Sequence, residues 1–108
     1  MLREEIPSCR IGVLSGPNLA QEIAKKQISG SVIASQDEEI RRVTQQVLTS
    51  PYFRIYTNED MVGVELAGAL KNIYAILSGI ATGAGYGANS LSMLITRGLA
   101  EMSRYAAH

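Results

Sequence analysis

A long stretch of the chain carries almost no charge, and this constrains the fold more than any other feature. Between Asp60 and Arg97 only Glu65 and Lys71 are charged. Apolar residues in the first part of this stretch recur at the spacing of one helix face, and they would make a continuous apolar stripe. They are Leu66, Leu70, Ile73, Leu77 and Ile80. The spacing predicts a helix from Met61 to about Thr82.

A second helix is predicted after a glycine-rich break. The segment Gly83–Gly87 interrupts the first helix, and the apolar residues that follow again share one face. They are Leu91, Leu94, Ile95, Leu99 and Met102. The uncharged run from Asn72 to Thr96 is long enough for a membrane span. Its glycines and polar residues favour two buried helices with a polar joint, so we expect no membrane span.

The first half of the chain shows a different pattern. Short apolar runs at Arg10–Leu14, Ser31–Ala34 and Phe53–Thr57 predict three strands. Amphipathic segments between them predict helices, the first with Pro17 in its first turn and the second with Ser35 as N-cap. The strand signals end near Thr57. The pattern predicts α/β structure for residues 1–58 and all-α structure for residues 59–108.

Composition limits the partners of the chain. Its 108 residues have a formal net charge of zero, so nothing indicates nucleic acid or an anionic membrane. Cys9 is the only cysteine, which excludes an internal disulfide and suits a reducing compartment; we take it as a bystander. The only histidine, His108, is the last residue, and no cluster has metal-ligand spacing, so we expect no metal. No targeting signal precedes the apolar segments.

Lys71 is the first candidate for chemistry. Apolar residues surround it on the predicted helix, and Glu65 lies about 120° away around the helix axis. A lysine there must reach solvent along its own stem or stay buried with a lowered pKa. It lies in a stripe of small residues, Gly63, Ala67, Ala75 and Gly79. The pattern fits a functional lysine beside a close ligand, or a tight helix contact with Lys71 at its rim.

Three other features are weaker. The turn Ser15–Asn18 opens a predicted helix, where free N–H groups could hold an anion, but we favour an ordinary strand-to-helix turn. In Gly83–Gly87 the third glycine comes one residue early for a dinucleotide loop and the segment follows a helix, so we interpret it as an interhelical turn. Arg97 is interpreted as a structural ion-pair or carbonyl partner.

Four segments, in order, resemble NAD(P)-dependent glycerol-3-phosphate dehydrogenases. They are Val13–Ala20, Ser50–Asn58, Gly63–Asn72 and Ile95–Met102. The third is very similar to the lysine signature of that family. The resemblance implies the end of a Rossmann-type dinucleotide domain, residues 1–58, leading into the start of a helical substrate domain, residues 59–108.

The resemblance also implies an activity. It is hydride transfer between NAD(H) or NADP(H) and dihydroxyacetone phosphate or glycerol 3-phosphate, in the cytoplasm, for phospholipid synthesis. Lys71 takes the place of the general acid/base on the C2 oxygen. Gly16 and Asn18 align with substrate contacts, Ala20 with a cofactor contact, and Asn72 with an orienting neighbour. Asn18 stands where the family usually has serine.

The departures from the family matter as well. The family's G-x-G-x-x-G loop and its arginine–asparagine pair for the substrate phosphate are not found in the chain. We therefore expect a fragment that is inactive alone, with homo-oligomers possible. Two alternatives remain: a related lysine-using reductase of the same two-domain type, and a non-catalytic helical interaction module.

Overall fold

The computed structural model, which describes residues 5–6 and 8–106, alternates strands and helices before two long helices. The α/β-then-all-α class predicted from the sequence is confirmed. The elements are β1 Val13–Ser15, α1 Ala20–Ala24, β2 Ser29–Ala34, α2 Glu38–Leu48, β3 Phe53–Asn58, α3 Met61–Gly83 and α4 Ala88–Ala106.

The contacts divide the chain into two compact units, residues 1–65 and 66–108. The division falls inside α3, seven residues after the predicted domain boundary at residues 58 and 59. That boundary followed the end of the strand signals, and β3 does end at Asn58.

The first unit is built on a three-stranded sheet in the order β1-β2-β3. β1 runs antiparallel to β2, with Val13 opposite Ala34. β2 and β3 are parallel, as expected for strands that a helix connects. α2 packs against both, and the buried apolar residues at the centre are Ile33, Ala34 and Ile55.

Two sequence predictions about the first unit are wrong in detail. α1 begins at Ala20, so Pro17 lies before the helix and not in its first turn. The N-cap of α2 is Asp37, whose carboxylate accepts the N–H groups of Glu39 and Ile40. Ser35 is fully buried instead, and its hydroxyl donates to the carbonyl of Ile11 and accepts the N–H of Asp37. The carbonyl of Ile11 therefore accepts the hydroxyl that the capping pattern assigned to the helix.

The second unit is a pair of helices joined by a short turn. The N–H of Tyr86 donates to the carbonyl of Ala81, and that of Gly85 to Thr82, which closes the end of α3. Gly85 has a φ of 83°, a conformation that glycine adopts without strain. The interhelical turn predicted for this segment is therefore confirmed.

The predicted burial of the helix faces is wrong for several residues. Ile73, Ile80 and Leu99 are 53%, 62% and 58% exposed. Among the described residues of α3 and α4, only Gly98 is buried. Helical spacing fixes which residues share a face, but two helices that meet closely at one point cannot cover two apolar stripes.

α3 also passes a simple test for membrane-spanning helices. Its length and apolar composition are sufficient, and none of the tested window is buried. The core helices of soluble proteins share this length and composition.

Candidate active site

Gly16 follows β1 and lies against β2. Its φ is 151°. A Cβ atom there would lie 2.6 Å from the carbonyl oxygen of Gly30 and 2.7 Å from Cα of Ser31. Both the conformation and the space require glycine at this position. Packing against β2 therefore explains Gly16 without a ligand.

Asn18 projects from the same turn and is exposed. Its side-chain amide donates to the hydroxyl of Ser31 at 3.2 Å. Ser31 is 2% exposed, so a buried group on β2 holds one end of the Asn18 amide. Among the described residues, no hydrogen bond to the carbonyl end of the amide is found, so a ligand can meet it there. Ser31 could not be predicted from the sequence, because a serine in a strand has many other uses.

Ala20 is the first residue of α1 and is exposed. α1 has only five residues, and Leu19 at its N-cap makes no side-chain hydrogen bond to the helix. A helix of this length has a weak dipole, so the ordinary turn is the better interpretation of Ser15–Asn18.

Lys71 and Asn72 lie side by side on α3, and both are exposed. The alternative of a buried lysine is therefore wrong for the chain as it stands. None of the ion pairs found among residues 8–105 includes Lys71. Its ammonium group is free to meet a ligand from solvent.

The small residues around Lys71 have more than one cause. At Gly79 nothing lies within 4 Å of an added Cβ. At Gly63 an added Cβ would lie 2.8 Å from Cγ of Asp60, whose carboxylate accepts the Gly63 N–H at 2.8 Å. Helix capping thus explains Gly63, whereas the small side of α3 around Lys71 is open.

The structure groups the predicted site residues in two sets. Gly16 and Asn18 lie on the turn after β1, and Ala20 begins the helix that follows, all in the first unit. Lys71 and Asn72 lie on α3 in the second unit.

A contact between α3 and α4 was missed in the sequence. The ring of Tyr74 lies against Gly98, and its hydroxyl donates to Glu101 Oε2 at 3.1 Å. Desolvation of the phenol and the Glu101 carboxylate raise the pKa of Tyr74 above its ordinary 10.0. Arg97 lies 4.0 Å from Glu101, in line with the ion pair predicted for it. Gly98, a glycine in the middle of a predicted helix, was the sequence feature that could have indicated this contact.

The remaining candidates add no chemistry. Cys9 is exposed and free. In the part of the chain that the structure describes, no group of three acidic, histidine or cysteine side chains could hold a metal ion. His108 lies outside the described residues.

Two family models match the chain in order. The model of the NAD-dependent glycerol-3-phosphate dehydrogenase N-terminus matches residues 1–41. The model of the NAD-dependent glycerol-3-phosphate dehydrogenase C-terminus matches residues 60–108. The second match contains Lys71.

Similar proteins carry the corresponding name. A glycerol-3-phosphate dehydrogenase (NAD(P)+) of Alcanivorax borkumensis is 58% identical over 106 residues, which are 98% of this chain and 31% of the relative. One of Saccharophagus degradans is 55% identical, again over 98% of this chain and 30% of the relative. The chain spans about a third of the length of these relatives.

Solved structures agree with the fold. The glycerol-3-phosphate dehydrogenase of Coxiella burnetii matches with a TM-score of 0.86 at 40% identity, covering 98% of this chain and 33% of that one. The enzyme of Saccharomyces cerevisiae matches with a TM-score of 0.82 at 31% identity, covering 96% and 32%.

Proposed function

Because the chain belongs to the NAD-dependent glycerol-3-phosphate dehydrogenase family, we propose that it is part of an oxidoreductase acting on a small phosphorylated substrate. The reaction is hydride transfer between NAD(H) or NADP(H) and dihydroxyacetone phosphate or sn-glycerol 3-phosphate. One observation carries the proposal. The family models of the N-terminus and of the C-terminus both match this one chain, in order, and the second match contains Lys71. It favours the dehydrogenase over a related reductase or a helical interaction module.

Lys71 is assigned to the proton transfer. When bound, the nicotinamide cofactor would supply or accept the hydride at C2. Reduction of the ketone also needs a proton on the C2 oxygen, and oxidation needs its removal. A lysine beside that oxygen serves both directions, because its ammonium form donates the proton in reduction and its neutral amine form accepts the proton in oxidation. The exposed side chain of Lys71 and the open, small side of α3 around it leave room for the substrate.

The other site residues are assigned supporting contacts. Asn72, next to Lys71, orients the substrate. Gly16 and Asn18 contact the substrate from the turn after β1, where the Ser31 hydroxyl holds the Asn18 amide. Ala20, small and exposed at the start of α1, contacts the cofactor.

The residues present fit only the border of a dinucleotide site. The turn after β1 offers an exposed polar side chain and a small one. The sequence contains no G-x-G-x-x-G loop for the pyrophosphate. Residues other than these 108 therefore hold most of the cofactor.

The wider setting follows from the same proposal. We place the enzyme in the cytoplasm, where it supplies glycerol 3-phosphate for phospholipid synthesis, without a membrane span and with homo-oligomers possible. The boundary between its dinucleotide and substrate domains lies at residues 58 and 59. The end of β3 at Asn58 and the family match from residue 60 support that position.

Two variants of the full-length protein that carries this chain test the proposal. Lys71→Ala should lower kcat by about 10²–10⁴-fold, because a general acid/base group typically contributes that much. Lys71→Arg should not restore turnover, since a guanidinium stays protonated and cannot act as base. Steady-state kinetics with dihydroxyacetone phosphate and NADH or NADPH, together with thermal melting, measure both.

A rim charge would behave differently. Arginine would then replace Lys71 with little loss of turnover, and alanine would leave kcat unchanged. Either result contradicts the assignment of Lys71. A wild-type protein without turnover on this substrate pair contradicts the proposed reaction itself.

A further inference from the structure

A close contact between α3 and α4 joins an aromatic ring to a glycine. A Cβ atom on Gly98 would lie 2.6 Å from Cε1 and 2.9 Å from Cγ of Tyr74. No real Cβ atom approaches a ring so closely, so any larger residue at position 98 must push the ring or the helix away. Gly98 is a notch that receives the Tyr74 ring.

A hydrogen bond also holds the Tyr74 side chain against α4. The Tyr74 hydroxyl donates to Glu101 Oε2 at 3.1 Å, and Glu101 lies three residues after Gly98 on α4. Glu101 also faces Arg97 at 4.0 Å, one turn earlier. The ring is therefore held at its face by Gly98 and at its tip by Glu101.

Glycine is otherwise a poor choice at position 98. Gly98 lies inside α4, which runs from Ala88 to Ala106, and glycine is the weakest helix former after proline. The notch for Tyr74 accounts for a residue that weakens its own helix. An alanine at position 98 facing a smaller side chain would give a more stable helix, so we infer that the contact with Tyr74 has a role beyond stabilising α4.

The contact lies one helical turn from Lys71. Tyr74 follows Lys71 by three residues on α3, and side chains three apart are neighbours on a helix surface. Rotation of α3 about its axis would swing Lys71 and Tyr74 together. Holding Tyr74 therefore fixes the direction in which Lys71 leaves the helix.

We propose that Tyr74 and Gly98, with Glu101, are positioning residues that set the orientation of Lys71 for proton transfer. This inference rests on the proposed function, because that function gives Lys71 the C2 oxygen of the substrate as its partner in proton transfer. The contact touches neither substrate nor cofactor. Its loss should lower turnover without weakening binding, since a misplacement of about 1 Å can cost up to 10²-fold in rate.

Variants of the full-length protein test the inference. Gly98→Ala should lower kcat about tenfold or more and leave the KM of the substrate and of the cofactor within about twofold. Tyr74→Phe keeps the ring and loses the hydroxyl, so its loss of kcat should be smaller. Tyr74→Val removes the ring and the contact, so its kcat should fall at least as far as that of Gly98→Ala. Because both single variants lose the same contact, the double variant Gly98→Ala with Tyr74→Val should be no worse than the poorer of the two.

A matched control separates position from helix propensity. Gly83→Ala makes the same exchange in α3, where nothing lies within 4 Å of the added Cβ, and its kcat should equal that of the wild type. Circular dichroism and thermal melting accompany each variant. Should Gly98→Ala fail to fold, the double variant and Tyr74→Phe carry the comparison.

The outcomes separate the two proposals. An active wild type in which Gly98→Ala and Tyr74→Phe keep their kcat overturns the positioning role alone. A raised KM at unchanged kcat also overturns it, as does a double variant whose loss of kcat is the product of the two single losses. No turnover in the wild type overturns the proposed reaction, and the inference with it.

Discussion

At the scale of single residues, Asp37 both caps helix α2 and forms an ion pair with Arg10. Desolvation raises the pKa of its carboxyl group, but hydrogen bonds from the N–H groups of Ile40 and Glu39 and the nearby Arg10 guanidinium outweigh it. The pKa therefore lies below its ordinary 3.8. Arg10 Nη1 lies 3.3 Å from the carboxylate.

The lowered pKa predicts a loss of stability in acid. The ionised form of Asp37 is favoured in the folded state, so its contribution is present above the unfolded pKa, near 3.8, and is lost as the pH falls below it. Asp37→Asn keeps an N-cap acceptor and cannot titrate. Urea unfolding of the chain at a series of acidic pH values should show a flatter pH dependence for Asp37→Asn than for the wild type. Equal slopes would contradict the prediction.

Residue roles were the hardest to predict from the sequence. Ser35 and Glu38 match a capping box, but Asp37 caps the helix and the Ser35 hydroxyl donates to the distant carbonyl of Ile11. Capping patterns do not say which serine is buried. The position of Lys71 among apolar residues identified it as a candidate. Its exposure depends on which other elements pack against α3, and the adjacent residues in the sequence do not show that.

At the scale of elements, the open side of α3 is the feature with consequences. In this chain Ala67 is exposed, although it lies one turn before Lys71 in the stripe of small residues. The proposed function requires a substrate to come close to that side. A small residue at position 67 would then matter in the complete enzyme and not in the chain alone.

A leucine at position 67 tests this requirement. In the full-length protein Ala67→Leu should lower turnover or destabilise the fold, since overpacking typically costs about 1–3 kcal/mol. In the isolated chain the same change should be nearly neutral. Ala69→Leu, also exposed but on another side of α3, is the control. Kinetics and melting curves check both, and wild-type values for Ala67→Leu in the full-length protein would leave the close approach without support.

Local pattern predicted most elements because each has its own period. Alternation gave β3 nearly to its ends, and the helical spacing of Leu66 to Ile80 gave α3 to within one residue. α1 was misplaced at its start, since proline suits both the first turn of a helix and the turn before it. The antiparallel pairing of β1 with β2 depends on contacts distant in sequence, and no local signal carried it.

At the scale of the whole molecule, exposed apolar side chains dominate the two long helices. Val62, Ile76 and Met93 are 73%, 64% and 74% exposed. Apolar patches of this kind on soluble proteins mark contact surfaces. The proposed function supplies a cover for them in the rest of a protein about three times as long.

The isolated chain should therefore behave differently from the full-length protein. We expect it to bind a hydrophobic dye strongly and to associate as its concentration rises, whereas the full-length protein should show weak dye binding. Dye fluorescence and sedimentation velocity measure the two properties. Replacing Met93 and Ile76 with glutamine should reduce association of the chain. A monomeric chain that binds no dye would contradict the prediction.

The notch at Gly98 also constrains how this sequence can evolve. While position 74 carries an aromatic ring, any substitution of Gly98 adds a Cβ atom that collides with that ring. A lineage can leave glycine only after position 74 has become smaller. Positions 74 and 98 should therefore drift as a pair, with the tyrosine position changing first, and an ancestor that carried glycine opposite a small residue could reach either state.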